Sequence, residues 1–373
     1  MSGVLTRRAA LALLPGSIVA VSAFQKPASV AKGVPKRKGQ ALPSVGEFFR
    51  FADPTTESIV VRLTNPKTRS LLPSPQNRFV STRNYFLIFS SDRTGNLAPF
   101  QVNLRTGVLR QLASPSQLQP HSLCLDAKER LLYFLDGTSL KEVTLSDLKT
   151  RTVASGVSSF SLGNVPTQFV VGREKRLEKL DGSVTSIIAD DVSNDPVYSG
   201  SLIRPGNGGC TFWREGAAAG RELWYFPFAG KTKSRLLAQG PISNPFWSPN
   251  GDSLLFLRDI QKNVVLSELH EVPVETGIES RVAPTSQFAA FSPNGDGSVF
   301  VGASRSKAQP NVILLLRTPN REFTLCEHHA TDPASVSPVF SPNSQRVYFQ
   351  SDREGMPAIY SVNVEPLVEP VDN

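Results

Sequence analysis

The chain is poor in the residues from which reactive centres are usually built. Its 373 residues hold four histidines, three cysteines and two methionines. Cys124, Cys210 and Cys326 lie far apart with no CxxC pair, which excludes zinc-ribbon and thioredoxin-type motifs. Each stands in or beside an apolar strand-like run, the setting of a small core residue. GxSxG, HExxH, P-loop and dinucleotide fingerprints are absent, and GNGGC at 206–210 reads as a hairpin turn. Acidic residues are missing from residues 1–45, where Arg7, Arg8, Lys26, Lys32, Lys36, Arg37 and Lys38 carry seven of the formal net +8. The remaining +1 leaves the rest of the chain almost neutral, with no global field for nucleic acid.

The N-terminus explains that imbalance. Arg7 and Arg8 precede a short apolar run from Ala9 to Ala20, and Val21-Ser22-Ala23 fits a small-residue cleavage site. The run is broken by Pro15 and Gly16 and is too short to span a bilayer. This layout predicts a secretory signal over 1–23, with Thr6-Arg7-Arg8 fitting a twin-arginine exporter. A basic linker over 24–47, a folded region over 48–366 and a tail over 367–373 follow. The expected product is a periplasmic or secreted monomer with no membrane span.

What is abundant is one repeated pattern. WSPNGDSLLF (247–256), FSPNGDGSVF (291–300) and FSPNSQRVYF (340–349) each place a polar turn after a large apolar residue, and a phenylalanine nine positions on. Asn-Gly between apolar runs is a strong hairpin signal, so PNGD reads as a turn between strands. The same ruler finds copies starting at 80, 125, 160 and 203, which makes seven starts spaced 45, 35, 43, 44, 44 and 49 residues apart. That is close to the period of a four-stranded propeller blade, roughly 40–45 residues. SDRTGNLAPFQVN (91–103) is echoed by SDREGMPAIYSVN (351–363), which predicts a second hairpin turn at Asp-Arg-x-Gly. The last copy lacks its fourth strand, and IVVRLT (59–64) matches the fourth strand of the first copy, VLRQLA (108–113). The prediction is an all-β, seven-bladed β-propeller closed by an N-terminal strand paired with the strand containing Ile359.

The FSPNG-type repeats resemble those of TolB-like and WD40-like propellers. A narrower resemblance, to the oligogalacturonate lyases (polysaccharide lyase family 22), runs from FADPTTESIVVRLTNP (51–66) to VFSPNSQRVYFQSDREGMPAIYSVNV (339–364). FWREGAAAGRELW (212–224), SNPFWSPNG (243–251) and LCEHHAT (325–331) match family segments in order. The resemblance implies β-elimination on short galacturonides at the channel mouth, where the innermost strands begin. A divalent metal such as manganese polarises the uronate carboxylate there, and a histidine removes the neighbouring proton.

Carried over residue by residue, the family's base histidine falls on Asn244. Its metal-ligand histidines fall on Gln287, Ser335 and Ser337, and a glutamine ligand falls near Asp332. Asparagine cannot take a proton near neutral pH, and amide and hydroxyl oxygens do not replace an imidazole cluster. Catalytic residues are therefore not assigned, and no metal or other cofactor is expected. The four positions are expected to converge at one end of the channel. His328 corresponds to a family histidine outside the ligand set, and if the segment is extended the adjacent His328 and His329 point to opposite faces. His121 stands four residues before its repeat start, as Gln287 does, and is expected at the same mouth. Arg214 and Arg221 are candidates to neutralise a uronate carboxylate. Three readings follow: an altered, non-cleaving relative that binds acidic (pectic) oligosaccharides, a TolB-like propeller that contacts an envelope protein, or an active lyase with a rearranged site.

Overall fold

A computed structural model describes residues 47–371 apart from 166, 174, 191–196, 218–219, 231–232 and 261–265. The predicted signal segment and all but the last residue of the linker lie outside the described residues. Seven antiparallel sheets form a seven-bladed propeller, as the repeats predict; six sheets have four strands and one has five. In chain order the innermost strands are Ser70–Leu71, Cys124–Leu125, Ser159–Leu162, Val197–Ile203, Ile242–Trp247, Phe288–Pro293 and Val339–Phe340. We number the blades 1 to 7 accordingly. No helix among the described residues is long and apolar enough to cross a membrane.

The nine-residue ruler has a physical meaning. Each repeat start lies on an innermost strand, Val80 doing so as a bridge to Leu87. The phenylalanine nine residues later lies on the adjoining second strand. Phe89, Phe134, Phe169, Phe212, Phe256, Phe300 and Phe349 are all buried. Such strands are covered on both faces by neighbouring blades, which is why they read as apolar runs rather than alternating ones. Blade 6 departs from the ruler in one detail. Its hairpin pairs Pro293 with Phe300, where blade 5 pairs Trp247 with Leu254. The positive φ accordingly falls on Gly297 rather than Gly295, whereas in blade 5 it falls on Gly251 of the PNGD turn. A shift of two residues keeps every side chain on its face. The Asp-Arg-x-Gly echo is a hairpin turn in both copies, with Gly95 and Gly355 at positive φ.

Ring closure follows the predicted pairing. Val60, Val61 and Arg62 pair with Val362, Ser361 and Tyr360, and the Leu63 N–H donates to the Ile359 carbonyl at 2.7 Å. The sequence reading did not anticipate the strand Phe49–Ala52, which adds a fifth, outermost strand to blade 7. Nor did it anticipate the latch that follows. Asp53 is buried; its Oδ1 accepts from the N–H groups of Thr55 and Thr56, and its Oδ2 from Glu327 N–H at 2.9 Å. Thr56 Oγ1 donates to Leu325 O at 2.7 Å. Asp53 and its turn thus tie the N-terminal segment to the last strand of blade 6, Arg321–Glu327, while residues 59–62 complete blade 7.

Candidate functional site at the channel mouth

The innermost strand of blade 1 is interrupted between Leu71 and its bridge at Val80 by LPSPQNRF. Pro73 and Pro75 have no N–H for the ladder, so this segment leaves the sheet and crosses the mouth. Ser74 N–H donates to His121 O at 2.9 Å, Asn77 Nδ2 to Leu123 O at 3.1 Å, and Gln76 Nε2 reaches Pro245 O of blade 5 at 3.2 Å. Two cavities flank the segment. The larger, about 620 Å³, is lined by His121, Asp332, Ser335, Ser337 and Asp352 among others. The smaller, about 530 Å³, is lined by His121, Ser159, Phe160, Trp213 and Pro245 among others. Ser74 and His121 line both and form the partition.

His121 has a partner that the sequence reading lacked. Its Nδ1 lies 2.9 Å from the Leu72 carbonyl oxygen. A carbonyl only accepts, so Nδ1 carries a proton, and in the neutral ring Nε2 is the acceptor. The exposed ring stands at the partition, where its neutral form offers Nε2 as an acceptor. The signal that could have found this is the Pro-x-Pro interruption, which places Leu72 O at the mouth rather than in a ladder.

Gln287, Ser335 and Ser337 lie just before innermost strands, whereas Asn244 lies within Ile242–Trp247, at the register shift between Ser243 and Phe246. Ser335 and Ser337 share the larger cavity with His121. Ser335 Oγ donates to Asp332 O at 2.7 Å, while Asp332 Oδ1 caps the 3-10 turn Pro333–Val336 by accepting from Ala334 N–H. Asn244 and Gln287 line neither of the two cavities; Pro245 lines the smaller one in place of Asn244. Asn244, Gln287 and Ser337 all adopt left-handed backbone, with φ of 51°, 57° and 45°. The conformation is least strained for asparagine. Asn244 Nδ2 donates to Ala289 O at 3.1 Å, which joins blade 5 to blade 6. Asn244, Gln287, Ser335 and Ser337 thus offer only neutral donors, and no group of three or more His, Cys, Asp or Glu side chains gathers among the described residues. This donor set does not fit the divalent ion that the family resemblance implies.

His328 is fully buried, and both ring nitrogens are engaged. Nδ1 accepts from Ala330 N–H at 3.0 Å, so Nε2 carries the proton and donates to Ser304 O at 3.0 Å. Burial pushes its pKa down, against the raising effect of the Ser304 carbonyl. His329 faces the other way, exposed, with Nε2 at 2.6 Å from Glu327. The pair is a structural corner rather than half of a metal site. Arg214 and Arg221 belong to the middle hairpin of blade 4, on its second and third strands. Arg214 lies 3.7 Å from Glu222 and Arg221 lies 3.2 Å from Glu215. The Arg221 guanidinium also stands 4.0 Å from the centroid of Trp213, which lines the smaller cavity.

Neither a protein-family model nor a curated protein matches the chain. Among solved structures it is similar to an oligogalacturonate lyase in complex with manganese, with a TM-score of 0.76, 19% identity and coverage of 87% of this chain and 97% of that one. An oligogalacturonate lyase from Vibrio parahaemolyticus gives a TM-score of 0.77 and 21% identity over 86% of this chain and 98% of that one. TolB from Acinetobacter baumannii gives a TM-score of 0.46 and 11% identity over 69% and 62%, too slight a likeness to bear on function. At these identities the two lyases share the fold of this chain.

Proposed function

We propose that this chain is an exported propeller, lyase-like in fold, that holds a short acidic oligosaccharide at the channel mouth without cleaving it by metal-dependent elimination. The observation that carries this reading is His121, whose ring lines both cavities at their partition with Nδ1 held by the Leu72 carbonyl. Hydroxyl and amide groups of Ser74, Gln76, Asn77, Gln119 and Ser122 surround it in the smaller cavity, with Phe160 and Trp213 as apolar walls. A few polar groups set in an apolar concavity suit a sugar ring. Asp332 and Asp352 line the larger cavity and repel a carboxylate, so a uronate would turn its acid group toward the Trp213 side, where Arg221 stacks behind the ring. Elimination has no base at Asn244, whose amide nitrogen bridges two blades.

Calorimetric titration with digalacturonate tests this reading. The wild-type protein should bind at one site per chain. His121→Ala should weaken binding about tenfold, the worth of one hydrogen bond. His121→Gln, which retains an acceptor, should recover part of the loss. Equal affinity in all three proteins, or no binding by the wild type, would remove the basis of the reading.

A further inference from the structure

Deeper in the channel, past the segment that crosses the mouth, all seven blades line a third cavity of about 300 Å³. Among the described residues that line it, the charged ones are Arg78 and Arg204. The half-buried Arg78 reaches across three blades. Its Nε donates to Leu125 O at 3.3 Å, Nη1 to Asn164 Oδ1 at 2.7 Å and Nη2 to Gly163 O at 3.1 Å. All three acceptors are uncharged, and no ion pair among the described residues includes Arg78 within 4.0 Å. A guanidinium has more N–H groups than three acceptors occupy, so both charge and donors remain. Arg204 donates from Nε to Gly251 O at 2.6 Å. Its carboxylate partner Asp252, at 3.4 Å, is 69% exposed, and solvent weakens such a pair.

Phe246, Trp247, Phe340 and Pro293 are among the apolar residues of the wall. Low-dielectric walls focus the field of like charges within a cleft, and a partly buried charge is costly without a counter-charge. We propose that this inner cavity is an oxyanion site that takes one small carboxylate or phosphate, the sugar acid and the free phosphate being its two candidate sources. The cavity volume, about 300 Å³, suits a single small ligand. This inference does not depend on what the mouth binds.

The test is calorimetry on the full chain at low salt, with inorganic phosphate and D-galacturonate as separate probes. At least one should bind at a single site and lose affinity as salt is raised. Arg78→Gln should lower that affinity at least tenfold, because a charge-assisted hydrogen bond to the anion is lost. Arg204→Gln should lower it several-fold; it leaves the three Arg78 contacts in place, and it decides the matter if Arg78→Gln does not fold. Phosphate binding alone identifies a phosphate site, galacturonate binding alone a sugar-acid site, and either supports the proposal. Binding of neither anion, or wild-type affinity in every variant that folds, would overturn it.

Discussion

Replacing Asp53 with alanine is expected to lower the unfolding free energy by roughly 3–5 kcal/mol, the usual cost of breaking a buried hydrogen-bonded charge network. The carboxylate satisfies the N–H groups of Thr55, Thr56 and Glu327, and alanine would leave all three without their acceptor. Asparagine should be nearly as damaging, because an amide placed to accept at Oδ1 turns its NH₂ group toward the Glu327 N–H. Burial by itself would raise the Asp53 pKa, but the N–H groups of Glu327, Thr56 and Thr55 outweigh it and hold the carboxyl below its ordinary value. A depressed carboxylate pKa stabilises the fold fully above the unfolded value of about 3.9, and the contribution is lost as pH falls through the folded value. Urea unfolding of wild type and both variants at pH 7 and near pH 3 would check this. The variants should differ from wild type strongly at pH 7 and less in acid. Equal midpoints at pH 7 would mean that the latch contributes nothing.

His328→Ala is the second large effect. It removes a fully buried ring and strands the Ala330 N–H and the Ser304 carbonyl, which should cost roughly 2–4 kcal/mol. The His328 carbonyl accepts from Ser351 Oγ, and this backbone contact survives the substitution. The pH dependence identifies the cause. Because the folded pKa lies below the ordinary value, the unfolded chain binds the proton more readily. Stability from this group is complete above about pH 6.5 and is lost as pH falls from there toward the folded pKa. Wild-type stability should therefore slope downward as pH falls below about 6.5, and the slope should be shallower in His328→Ala. Parallel slopes in the two proteins would contradict the neutral, doubly bonded ring.

The fold was legible because its signal is repeated and physical. One large apolar residue and one phenylalanine per blade mark the innermost and second strands, and seven copies fix their number. Closure was legible because the last blade is short of a strand and residues 59–64 supply its pattern. The Asp53 latch was not. FADPTTES carries it, but an aspartate before Pro-Thr-Thr reads as a local turn, and its contact with Glu327 spans 274 residues. The site was legible in its residue types and less so in its geometry. Left-handed backbone at Gln287 and Ser337 leaves no mark in a sequence, since neither residue type favours it. The Leu72 partner of His121 was hidden because the repeat ruler begins at residue 80 and treats the preceding stretch as a connection. Adjacent histidines at 328 and 329 resemble half of a metal site, yet burial directs one into the core and solvent takes the other.

The most direct measurement is incubation of the purified protein with digalacturonate and manganese while following the ultraviolet absorbance of the unsaturated elimination product. With an amide at position 244 and only neutral donors at 287, 335 and 337, the absorbance should rise no faster than in protein-free buffer. A rise proportional to protein concentration would contradict the proposed loss of elimination chemistry.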